Sequence, residues 1–191
     1  MAEELRTAAG VVDRLRNLAS GPELAKLSKR LPTGEQAFGV RMRDLFETAK
    51  AAVGLPEGEL GELFAEDAFE PRMAAFCVLD FRARRKPDVA LRRTYLDHHD
   101  AITTWDMVDR AAPWVVGSVT AGGPYDVLHD LAASDDWLRR RSAITAPLWF
   151  AKYGDARDVA AGYGVAARLR DDPEAVVRKA VAIYDKHAGR R

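Results

Sequence analysis

Apolar residues recur with a period near that of a helix along almost the whole chain: Leu5, Ala8, Ala9, Val12 and Leu15; Met42, Leu45, Phe46, Ala49 and Val53; Phe69, Met73 and Phe76; Val177, Ala180, Val181 and Tyr184. No segment shows the sustained alternation of a strand. Helix starts fall where this pattern needs them. Pro22 follows Ser20-Gly21, Ser134 precedes Asp135-Asp136, and Pro173 follows Asp172, each a capping residue with acidic neighbours or a first-turn proline. Eleven helices are predicted, at about residues 3 to 18, 22 to 31, 40 to 53, 57 to 66, 69 to 86, 88 to 98, 103 to 118, 123 to 133, 135 to 152, 155 to 169 and 173 to 188. Pro147 should kink the ninth of these, and Gly162 and Gly164 should loosen or break the tenth.

Pairs of such helices joined by short turns predict an all-α fold, a superhelical solenoid of antiparallel HEAT-like pairs in which each pair buries its face only against its neighbours. A compact irregular bundle is the alternative. The run from Leu31 to Gly39 is the clearest loop and separates two N-terminal helices from the main stack. With 191 residues the chain has enough length for one ordinary core, so residues 1–191 are read as a single domain.

Charge changes this picture through its distribution, because the formal net charge is zero. From Trp137 onward there are 12 Lys/Arg against 6 Asp/Glu, leaving 17 against 23 before it, so an anionic partner would meet the C-terminal part. Further basic clusters at Arg82, Arg84, Arg85 and Lys86, and at Arg92 and Arg93, read equally well as solvated helix faces. The single cysteine, Cys77, lies in an apolar helical pattern and reads as a buried thiol. With no long apolar run, leader or lipidation signal, the sequence gives the expectation of a cytoplasmic protein without a membrane partner.

The run Thr103-Thr104-Trp105-Asp106-Met107-Val108-Asp109 carries the most chemistry. Trp105 and Asp109 are one helical turn apart and share a face. Thr103 and Asp106 have the spacing of a capping box, which would start the helix there, and Pro113 would disrupt the hydrogen bond to the Asp109 carbonyl. The plain reading makes Trp105 a core residue and Asp109 a solvated one. Other polar clusters are weaker. Asp97-His98-His99-Asp100 has no partner cluster for a metal, and Trp149 with Phe150 reads as core.

A wider match shifts the balance. Phe38-Gly39-Val40-Arg41-Met42, the Trp105 to Asp109 run followed by Ala112-Pro113, Trp137-Leu138-Arg139-Arg140-Arg141-Ser142-Ala143-Ile144, and Arg178-Lys179-Ala180-Val181 occur in one order. Over about residues 24 to 188, in this order and spacing, the chain resembles the DNA alkylation repair family, the AlkD-like DNA glycosylases. The resemblance implies a HEAT-like protein, expected to be a monomer, that holds duplex DNA on a basic concave face and releases N3- or N7-alkylated purines with no metal or organic cofactor. Carried over by position, it makes Asp109 the catalytic carboxylate and Trp105 the aromatic packed against the DNA backbone and sugar. Arg141 becomes a DNA contact, with Arg140 as its alternative, and Lys179 a further one. Where the family places another aromatic, four residues after the Lys179 position, this chain has Ile183. A non-catalytic duplex-binding module and a protein scaffold remain the competing functions.

Overall fold

The computed structural model describes residues 5–190, and among them every regular element is helical. The helices are α1 (Ala8–Asn17), α2 (Gly21–Leu27), α3 (Met42–Ala51), α4 (Glu57–Phe64), α5 (Phe69–Arg85), α6 (Val89–Asp97) and α7 (Trp105–Ala112). They continue with α8 (Ser118–Thr120), α9 (Asp126–Ala132), α10 (Trp137–Thr145), α11 (Leu148–Tyr153), α12 (Ala156–Leu169) and α13 (Ala175–Ala188). The first residues of the first predicted helix lie outside the described residues. No helix among the described residues is long and apolar enough to cross a membrane.

Pro113 does not break its helix. It opens a π-helical turn over Pro113–Gly117, which links α7 to α8 without interruption. A proline cannot donate to the preceding turn, and a wider turn absorbs the mismatch while the helix continues. Pro147 acts more strongly and divides the predicted 135 to 152 helix into α10 and α11. The expected break at Gly162 and Gly164 is absent, and α12 runs through both. A Cβ on Gly162 would sit 2.1 Å from the Tyr184 hydroxyl oxygen, so this glycine admits the α13 ring to the α12 backbone.

Packing orders the helices in a row. α5 lies against α3 and α7, α7 against α10, and α10 against α13. Their shared core includes Leu45, Phe76, Leu79, Met107, Val108, Ala111, Ile144 and Val181, all buried. Cys77 lies in that core, where burial pushes its thiol up to about 12. The loop before α3 is fastened by Glu70, whose buried carboxylate accepts the backbone N–H groups of Phe38, Gly39 and Val40 at 2.9, 2.7 and 3.1 Å. Three donors on one carboxylate hold this loop against the start of α5.

Candidate active site

α7 occupies the middle of the row, and its first turns carry Trp105 and Asp109. The capping box expected at its start does not form. The N-cap is Thr104, without a side-chain cap bond, while Thr103 donates to Glu35 at 3.0 Å and Asp106 accepts from Arg30 at 2.6 Å. Glu35 is also gripped by Arg72 of α5. These partners from the α2–α3 connection replace the local cap with tertiary bonds. Burial raises the Asp106 carboxyl above its ordinary range, and the Arg30 charge opposes that rise.

Trp105 is not a core residue. It is 43% exposed, and its ring lies 5.4 Å from the Arg141 guanidinium carbon. Asp109 is not a free surface acid either. Its two oxygens accept from Arg141 Nε at 2.9 Å and Nη2 at 2.8 Å, a bidentate pair across the seam between α7 and α10. Arg141 Nη1 also donates to the Val176 carbonyl at the start of α13. The Arg141 side chain is 4% exposed and that of Asp109 36%. The arginine is therefore an internal brace that joins three helices, and the carboxylate it holds faces outward.

Arg140 is engaged elsewhere. Its Nε and Nη2 donate to Asp172 at 2.6 and 3.1 Å, and its Nη1 to the carbonyls of Ser134 and Asp135 at 3.0 and 2.8 Å. Burial works against the Asp172 charge, but the bonds from Arg140 and from the Glu174 N–H hold its carboxyl below the usual range. The guanidinium groups of Arg140 and Arg141 are thus taken up inside the protein. Lys179 is exposed on α13. Ile183, one turn further along, is half-buried, while the neighbouring Tyr184 is fully buried and donates to the Val159 carbonyl at 2.9 Å. Tyr184 has no freedom to serve as the missing aromatic.

A second acid–arginine seam lies one helix earlier in the row. Asp80 of α5, with a side chain fully buried, forms an ion pair with Arg110 of α7 at 2.7 Å and accepts from Arg84 Nε at 2.9 Å on both oxygens. Four residues after Asp80 stands Arg84, which covers it; four residues after Asp109 stands Pro113, which carries no group to do so. One carboxylate is sealed and the other is partly open. Sequence reading missed the Asp80 seam, although the i,i+4 spacing of Asp80 and Arg84 was a visible signal.

The His98-His99 cluster is a packing element. His99 is buried, its Nε2 lies 2.9 Å from the Ser142 hydroxyl, and that hydroxyl is 2.8 Å from the Tyr95 hydroxyl. His98 stacks on Phe64. Among the described residues no group of three or more His, Cys, Asp or Glu side chains is arranged to hold a metal ion. Phe150 is core, as its pattern suggests, whereas Trp149 is half-buried in a cluster with Trp114 and Tyr153.

The family model for the DNA alkylation repair enzyme matches residues 11–190, and the chain belongs to that family. No curated protein matches it. Membership makes this an enzyme of DNA alkylation repair, with DNA as the substrate class.

Proposed function

We propose that the chain is a DNA N-glycosylase for cationic N3- or N7-alkylated purines, and that the helix row is one layer of a HEAT-like superhelix whose open face receives the duplex. One observation carries the reading: a partly open carboxylate, Asp109, held bidentately by a buried arginine and flanked by an exposed tryptophan. An alkylated purine is already a cationic leaving group and departs without a proton. The usual pair of glycosidase carboxyl groups then reduces to one, which stabilises the oxocarbenium-like sugar and activates water. Fixed charge aimed at a developing cation typically contributes a few kcal/mol to the barrier. Trp105 offers its π face to the same cation. Lys179, exposed on α13, meets backbone phosphate.

Incubation of the protein with a duplex containing N7-methylguanine tests the reading. Release of the free base, lost in Asp109→Asn, supports it. Binding without release supports a duplex-binding module instead, the reading that Ile183 favours. Neither binding nor release overturns both.

A further inference from the structure

Asp80 is sealed by two cations rather than one. The Arg110 guanidinium lies 4.6 Å from the ring centres of both Phe46 and Phe81, and that of Arg84 4.9 Å from the ring of Trp114. Two guanidinium charges on one carboxylate leave this seam with a net positive charge, whereas Asp109 and Arg141 balance. Arg84 bonds Asp80 only through Nε, and its side chain is 44% exposed. The end of its fork is thus turned to solvent while the stem is fixed by a buried anion and an indole.

α7 stands between α5 and α10 in the row, so Arg110 faces one seam and Asp109, the adjacent residue, faces the other. Both residues flank the same crest of α7. A rigid cation at the first seam and an open anion at the second define a direction along the row.

We infer that Arg84, braced by Asp80 and Trp114 beside Arg110, is a phosphodiester-binding site that fixes a nucleic-acid backbone one helix before the Asp109 carboxylate. The inference rests on the duplex-binding reading above and adds to it a contact outside the basic C-terminal part. A pre-positioned planar fork matches the oxygens of a phosphate, and little side-chain freedom is lost when it binds. Its contribution is to affinity and register, since phosphate contacts position a duplex without reading its bases.

The test is fluorescence anisotropy with an unmodified duplex over a series of salt concentrations, using wild type, Arg84→Gln and Arg84→Lys, with melting curves as the folding control. Arg84→Gln should weaken binding roughly fivefold and make the slope of log K against log salt shallower by about 0.9, the loss of one phosphate contact. Arg84→Lys should restore the slope but only part of the affinity, because the charge remains and the fork is gone. Equal affinity and slope in Arg84→Gln would overturn the inference and leave the glycosylase reading standing. A wild-type protein that binds no duplex would overturn both.

Discussion

Arg141 holds both oxygens of Asp109 from beneath, yet the Asp109 side chain remains 36% exposed while Arg141 is 4% exposed. The two residues are therefore unequal partners. Removing either changes the other, so tests of the site must separate chemistry from support.

Asp109→Asn keeps an acceptor for one Arg141 bond and removes the charge. Base release should fall by at least about tenfold, equal to about 1.4 kcal/mol of barrier. Arg141 would lose its counter-ion in a buried setting, so the melting curve should also shift, by about 1–3 kcal/mol of stability. Single-turnover release measured well below the melting temperature isolates the first effect. Full activity in the folded variant would remove Asp109 from the mechanism.

Arg141→Lys tests the brace. A lysine supplies one point charge in place of a planar fork, so Asp109 loses its fixed orientation and the Val176 carbonyl loses its donor. Release at saturating duplex should fall while the salt dependence of binding stays as in wild type, because the side chain is sealed from a phosphate. A shallower slope of about 0.9 would instead make Arg141 itself a phosphate contact.

The helices were legible because each buries one stripe, and a period near 3.6 survives in sequence whatever the stripe packs against. Pro147 was legible for the same local reason. The partners of the site were not. Arg30 reaches Asp106 across 76 positions, and the Thr103 to Asp106 cap that local spacing suggests yields to those tertiary bonds. Arg84 read equally well as a solvated residue: its i,i+4 spacing from Asp80 was visible, but the burial of Asp80 beside Arg110 was not. Gly162 read as a break because glycine is a poor helix former, whereas its role is to admit Tyr184. Trp105 showed the limit of periodicity, since a helical aromatic suits a core and a binding face equally well.

His99 gives the protein an acid-side weakness. Burial, with the Arg139 charge, lowers its pKa from 6.5 to about 4. Between those values the unfolded chain binds a proton that the folded protein does not, so stability falls as pH drops through this window and this contribution levels off below it. The melting temperature of wild type should decline from pH 7 to pH 4.5 more steeply than that of His99→Gln, which keeps a polar group for Ser142 and has no charge to gain. Parallel declines would assign the acid sensitivity to other groups.

Ile183 stands on α13 two turns after Val176, whose carbonyl accepts from Arg141, so the side chains at these positions share a face with Lys179 between them. An indole there should meet the substrate beside the Asp109 pair. Ile183→Trp should speed single-turnover release of N7-methylguanine by about two- to thirty-fold, the rate equivalent of roughly 0.5 to 2 kcal/mol of cation–π stabilisation. Equal rates at matched folding would place the position outside the site.

One turn after Asp109 stands Pro113, which has no group to cover the carboxylate, and the Asp80 seam provides the comparison within the same molecule. At Asp80 the residue one turn on is an arginine, and the carboxylate is sealed by it and by Arg110. At Asp109 the corresponding residue is a proline in a π-helical turn, and the carboxylate faces solvent. Pro113→Arg should relax the turn toward α-helix and bring a second guanidinium within i,i+4 reach of Asp109. Two cations would then face one anion, and the balanced pair would become a net positive site that repels a cationic sugar. Base release should fall by at least about tenfold, comparable to Asp109→Asn, while duplex affinity holds or rises because a positive charge has been added. The melting temperature should hold or rise as well, since a helix-interior proline has been removed. Undiminished release in this variant would mean that access to the carboxylate is set by something other than the proline.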